Sequence, residues 1–152
     1  MAGNKGISVE KCLQEIKEKY DEYHFSGNSK GVYNPYSVIN ALSDQKLGYY
    51  WFGSASPQLI INRMENSLIT PAQMESGITV AESDIMDYRI DDPDPVPLFY
   101  QSGYLTIKSY DEEFFTYTLG FPNSEIKYGF YRALVPSVLG ERDAQTGVHR
   151  KL

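Results

Sequence analysis

The sequence has few groups that react. A single cysteine, Cys12, excludes an internal disulfide framework and a cysteine-rich zinc site. Its two histidines, His24 and His149, lie far apart along the chain. The Walker loop, the Gly-rich dinucleotide fingerprint, the Gly-x-Ser-x-Gly elbow and the His-Glu-x-x-His helix are all missing. Positive charge is scarce: 14 Lys and Arg against 20 Asp and Glu leave a net charge of −6, which argues against electrostatically driven binding of nucleic acid. No apolar run approaches the roughly 20 residues of a membrane span, and the N-terminus is no signal peptide. These absences predict a soluble cytoplasmic chain with no membrane contact and no cofactor of its own. Aromatic residues are plentiful, with 13 Tyr, 7 Phe and 1 Trp in 152 residues, and the chain is long enough to bury a core.

Local signals divide the chain. Ser8 is suited to cap a helix carrying Val9, Cys12, Leu13, Ile16 and Tyr20 at helical spacing, with Glu10 in its first turn and Lys17 and Lys19 near its end. Gly27, Asn28 and Gly31 predict a loop or tight hairpin. Asn34-Pro35, Ser56-Pro57 and Thr70-Pro71 repeat one device, a capping residue followed by proline where its missing N–H costs nothing. The first opens a helix that buries Val38, Ile39 and Leu42, and the second one that buries Leu59, Ile60 and Met64. The third opens a short turn through Met74 that stops at Gly77. Residues 91–97 alternate aspartate and proline, which forbids regular helix and predicts an extended surface connector. Tyr104 to Tyr110 alternates β-branched and aromatic residues as a strand, Asp111-Glu112-Glu113 turns, and Phe115 to Leu119 returns. Asn123 caps a last helix on Ile126, Phe130, Leu134 and Val138, with Pro136 as a kink. The expected fold is α+β and mostly helical: a helical subdomain over 7–90, the connector over 91–97, a winged-helix-like hairpin plus helix over 98–140, and a loose tail over 141–152.

Each reactive candidate has a plainer explanation. Asp84, Asp87, Asp91, Asp92 and Asp94 are close together, but prolines stand where a calcium loop needs its sharp turn, so a solvated acidic linker fits better. Cys12 falls on the apolar stripe of the first helix and reads as an inert buried thiol. Glu112 and Glu113 fall in a turn and point to water, with no cleft for paired carboxylates. Ser26 to Gly31 is glycine-rich but neither follows a clear strand nor opens a helix, so it carries little weight as a phosphate loop. A hairpin and helix could form a DNA-contacting wing with Tyr104, Lys108, Tyr110 and Tyr117, yet its tip is acidic and would repel phosphate.

Five ordered stretches carry a resemblance: residues 19–25 (Lys-Tyr-Asp-Glu-Tyr-His-Phe), 32–38 (Val-Tyr-Asn-Pro-Tyr-Ser-Val), 50–57 (Tyr-Trp-Phe-Gly-Ser-Ala-Ser-Pro), 97–108 (Pro-Leu-Phe-Tyr-Gln-Ser-Gly-Tyr-Leu-Thr-Ile-Lys) and 119–126 (Leu-Gly-Phe-Pro-Asn-Ser-Glu-Ile). Together they resemble the C-terminal portion of the AAA-ATPase-like family common in Bacteroidetes and other anaerobes. Those proteins are STAND-type P-loop ATPases, often followed by a PD-(D/E)XK nuclease-like domain. The resemblance implies that Walker motifs lie upstream of this region and the nuclease-like domain downstream, so that the chain covers the part between. It departs from the family pattern at Glu22, where glycine is usual.

The family-motif residues are Tyr20, Asp21, Tyr23, Phe25, Tyr33, Asn34, Pro35, Trp51, Gln101, Gly103, Tyr104, Pro122, Asn123 and Glu125. They are turn, cap and packing types rather than acid–base machinery. The resemblance therefore implies a non-catalytic lid or regulatory module, not an enzyme in itself, with no catalytic, cofactor or metal residues. Its implied partners are the ATPase core and nuclease-like domain of the same protein. A DNA-contacting winged-helix element or a protein-interaction domain stands as the alternative, with nucleic acid disfavoured by charge.

Overall fold

The computed structural model describes residues 6, 8–54, 57–86 and 93–147, and of residues 54, 86 and 137–147 only the backbone. Its elements run α1 (Val9–Tyr20), α2 (Pro35–Ser43), α3 (Tyr50–Ser54), α4 (Gln58–Glu65), α5 (Pro71–Ser76), β1 (Ile78–Ala81), α6 (Glu82–Met86), α7 (Val96–Gln101), β2 (Thr106–Asp111), β3 (Thr116–Gly120) and α8 (Ser124–Gly147). The fold is α+β and mostly helical, with one three-stranded antiparallel sheet in the order β1-β3-β2.

Capping residues set most of the helix starts. The Ser8 side chain accepts the Lys11 N–H, and Asn34 Oδ1 accepts those of Tyr36 and Ser37. Thr70 and Gln73 form a reciprocal capping box, and the short helix they open stops at Gly77 with φ +109. Asn123 Oδ1 accepts the Ile126 N–H and so starts α8. The α4 start differs: Pro57 stands at its N-cap without a side-chain bond, and Ser56 lies outside the described residues.

Several faces differ from the sequence expectation. On α1 the core takes Cys12, Ile16 and Tyr20 but leaves Val9 and Leu13 exposed. On α2 the buried positions are Ser37 and Ala41, while Ile39 and Leu42 face outward. Val38, as expected, is partly buried against the small cluster with α1; the reason for the rest is polar, since the Ser37 hydroxyl is drawn inward to the Glu125 carboxylate, and that turns Ile39 and Leu42 outward. On α4 the buried set is Ile60, Ile61 and Met64, and Leu59 is exposed.

The acidic proline stretch is not an extended connector over its whole length. Val96 and Pro97 are buried and begin α7, because Asp94 Oδ1 accepts the Val96 N–H and proline is tolerated in a first turn. Residues 91 and 92 lie outside the described set. The last helix continues through Pro136 to Gly147, so residues 141–147 extend it; residues 148–152 are not described.

Strand β1 has no counterpart in the sequence reading. Ile78 to Ala81 pairs in register with Leu119 to Thr116 of β3, and so ties the first half of the chain to the hairpin. From α5 onward the order is helix, strand, helix, helix, hairpin, with β1 joined to β3. That is winged-helix connectivity, and it begins well before the hairpin. The main core runs across the 91–97 stretch and takes Val96 from it: Phe52, Ile60, Met64, Met74 and Ile85 pack in one cluster with Val96, Phe99, Leu105, Leu119, Ile126 and Phe130. A second, smaller cluster of Cys12, Ile16, Tyr20 and Ala41 seats α1 on α2.

Candidate functional site

The motif residues meet where α1 ends, α2 and α8 begin, and β2 departs. Tyr20 is fully buried, and its hydroxyl both donates to the Gly48 carbonyl at 3.1 Å and accepts the Gly48 N–H at 3.0 Å. Its carbonyl accepts the Asn34 N–H at 2.8 Å, which places the cap of α2 beside the end of α1. Asn123 donates its Nδ2 to the Asp21 carbonyl at 2.9 Å, joining the α8 cap to the same corner. Three stretches far apart in sequence are thus fixed together, because the capping residues of α2 and α8 both bond backbone carbonyls at the end of α1.

Glu125 is the charged group at the centre. Its side chain is wholly buried; Oε2 accepts the Ser37 hydroxyl at 2.7 Å and Oε1 accepts the Trp51 N–H at 2.9 Å. Burial pushes its carboxyl above the ordinary carboxylate range, against the pull of these donors and of the Lys19 ammonium. Trp51 then meets Tyr104 edge-on, with ring centroids 5.5 Å apart, and Phe52 and Phe130 also stand edge-on to Tyr104.

Two buried oxygens, Asp21 Oδ1 and the Tyr23 hydroxyl, have no hydrogen-bond partner among the described residues. The amides of Asn34 and Asn123 lie near that hydroxyl, and desolvation raises its pKa. Glu22, between these two residues, has φ +74, a conformation that favours glycine.

Of the other motif residues, Phe25, Tyr33, Pro35 and Gln101 are exposed, whereas Pro122 is buried. Tyr23, Phe25, Tyr33, Asn34 and Pro35, with Val32, line an apolar depression of about 520 Å³. On the other side of Phe25 a second depression, about 180 Å³, is lined by Tyr23, His24, Tyr100, Gln101, Gly103 and Thr106. The two share Tyr23 and Phe25, and Phe25 is 76% exposed, so it stands as a ridge between them. Pro122 stands apart from both depressions, and its carbonyl accepts Lys108 Nζ.

The groove walls are held in place. Tyr23 and Val32 exchange backbone hydrogen bonds, the His24 N–H donates to Thr106 Oγ1 at 2.7 Å, and that hydroxyl donates back to the His24 carbonyl. His24 Nδ1 lies 2.8 Å from the Ser29 carbonyl and Nε2 3.2 Å from Glu22 Oε2. Both ring nitrogens are engaged, which leaves His24 unsuited to act as a general base. None of the groove-lining residues named is Lys, Arg, Asp or Glu, and none pairs a nucleophile with a base.

Sequence reasoning missed His24, Val32, Tyr100 and Thr106 as groove residues and Ser37 as the Glu125 partner. Thr106 carries no signal as a lone threonine in a strand. Ser37 does carry one, since it is the polar residue on a helix face whose neighbours are apolar. Cys12 is buried and free, Glu112 and Glu113 are exposed, and among the described residues no three metal-ligating side chains gather. Asp87, Asp91 and Asp92 lie outside that set. No helix of the described residues is long and apolar enough to cross a membrane. Compared with known proteins, the chain matches no family model, no curated protein and no solved structure.

Proposed function

We propose that this chain is a non-catalytic lid and regulatory module of an AAA-ATPase-like protein of the cytoplasm, coupling the nucleotide state of a P-loop core to a nuclease-like domain. One observation supports this reading above the others. The residues that carry the family resemblance build a capped, buried corner and an aromatic surface groove, with no reactive pair between them. Such a corner transmits position rather than protons.

The winged-helix connectivity supports a packing role over a DNA-reading one. Helix α7, Val-Pro-Leu-Phe-Tyr-Gln, precedes the wing and carries no Lys or Arg, and the wing tip is Asp111-Glu112-Glu113. Phosphate would meet carboxylates there. The exposed aromatic groove favours a general protein-interaction domain as the second reading.

Calorimetric titration of Mg-ATP and of duplex DNA into the purified chain tests the first reading, followed by mixing with a P-loop core of the family. Silence for both titrants and a complex whose affinity changes between ATP and ADP are expected. Nucleotide turnover by the chain alone would overturn it, and binding to the groove without any complex with the core would leave the second reading ahead.

A further inference from the structure

We propose that the divided groove around Phe25 is a docking site for a proline-rich peptide segment that carries a basic residue. This goes beyond the module reading and does not depend on it. The shape is the first argument. Two depressions on either side of an exposed aromatic ridge suit a ligand that presents apolar groups in successive clusters, as a polyproline helix does with three residues per turn. The walls are the second. Tyr23, Phe25, Tyr33, Pro35 and Tyr100 offer flat apolar faces for pyrrolidine rings, and no charged side chain intrudes.

The edges carry the third argument. A polyproline segment makes no internal hydrogen bonds, so its carbonyls need donors, whereas a docked helix satisfies its own backbone. Gln101, an exposed residue that lines the smaller depression, is a side chain of the type that can supply such a donor. Charge adds the fourth. The half-exposed Glu22 carboxylate lies 3.2 Å from His24, a lining residue of the smaller depression, and the chain carries −6 overall, so a flanking Arg or Lys on the ligand meets complementary charge. Finally the site is preformed: the Tyr23–Val32 bridge and the His24–Thr106 exchange fix both walls, which lowers the ordering cost of binding a stiff ligand.

Trp51, the single tryptophan, reports on the groove from behind. A Cβ on Gly103 would lie 3.7 Å from both the Trp51 and Tyr23 rings. The experiment titrates the full chain with blocked decaproline, with decaproline ending in two arginines, and with a Gly-Ser peptide of equal length ending in the same arginines. It follows Trp51 fluorescence and confirms binding by calorimetry. Saturable binding of both proline peptides is expected, about fivefold tighter with the arginines at low salt and losing that advantage at 0.5 M salt. Phe25→Ala should weaken binding at least tenfold at unchanged melting temperature, because that ring is mostly exposed. Tyr33→Ala, at another lining residue of the larger depression, should do the same. No saturation by either proline peptide overturns the proposal. So does equal binding of the Gly-Ser control, or self-association of the chain that Phe25→Ala abolishes.

Discussion

The Ser37 hydroxyl donates to Glu125 Oε2 at 2.7 Å across 88 positions of sequence, and both side chains are wholly buried. The same carboxylate takes the Trp51 N–H, so α2, α3 and α8 share one acceptor. Glu125→Ala would orphan the buried Ser37 hydroxyl and leave the Trp51 N–H only its longer 3.3 Å bond to Ser37 Oγ, and a loss of about 2–4 kcal/mol is expected from denaturant unfolding. Glu125→Gln keeps an acceptor for Trp51 and turns Ser37 into the acceptor of its NH2 group, so it should cost far less. Acidity separates them further. Burial raises the folded-state pKa above the unfolded value of about 4.3, so the folded chain binds the proton more tightly. Stability from this group therefore rises as pH falls from the folded pKa towards the unfolded one, and is lost as pH rises through the folded pKa. Melting temperature against pH should climb more on acidification in wild type than in Glu125→Gln. Parallel profiles would remove Glu125 as the source.

Tyr20 and Tyr23 end in hydroxyls with opposite surroundings. Tyr20 is bonded both ways to Gly48, and burial pushes its pKa up to about 12. Tyr20→Phe leaves the Gly48 N–H and carbonyl without that partner and should cost about 1–2 kcal/mol. Tyr23 has a buried hydroxyl without a bond, so Tyr23→Phe removes a desolvated oxygen and should cost clearly less. Paired chemical denaturation measures the difference. A larger loss at Tyr23 would mean that its hydroxyl is bonded in solution.

Local grammar explains how much of this could be read from the sequence. Caps at Ser8, Asn34, Thr70 and Asn123 declare themselves because the signal lies within four residues. The hairpin declares itself by alternation. What stayed hidden depends on distant partners. Ile78 to Ala81 is too short to show a period, and it becomes a strand only because β3 lies alongside. The buried face of α2 is decided by Glu125, 88 residues away from Ser37, against the apolar pattern of the helix. Of the site, the division of the residues singled out by resemblance into a buried corner and a surface groove follows from the chain path alone.

Glu22 has a φ of +74, the conformation glycine adopts freely. A side chain there costs about 1–2 kcal/mol of backbone strain. Glu22→Gly relieves it but frees the unfolded chain and removes the contact with His24, so it should lie close to wild type. Glu22→Ala keeps the strain and loses the contact. Thermal unfolding should therefore place Gly above Ala by about 1 kcal/mol, the reverse of their order in a helix interior. Ala equal to or above Gly would place Glu22 at negative φ in solution.

Gly129 lies inside α8, where Ala ordinarily stabilises by about 1 kcal/mol. Here a Cβ would fall 2.5 to 2.9 Å from three ring carbons of Phe52, a buried side chain set edge-on against Tyr104. The atoms met are the inner carbons of the ring, so the whole side chain or helix must shift, and overpacking of that kind costs about 1–3 kcal/mol. Gly129→Ala should therefore destabilise despite its helix propensity. Phe52→Leu alone should also destabilise, by loss of packing. The two together should lose less than their sum, because the smaller side chain makes room for the methyl group. Urea unfolding of the four proteins gives the coupling. Additive losses would mean that α3 and α8 stand farther apart than the glycine contact implies.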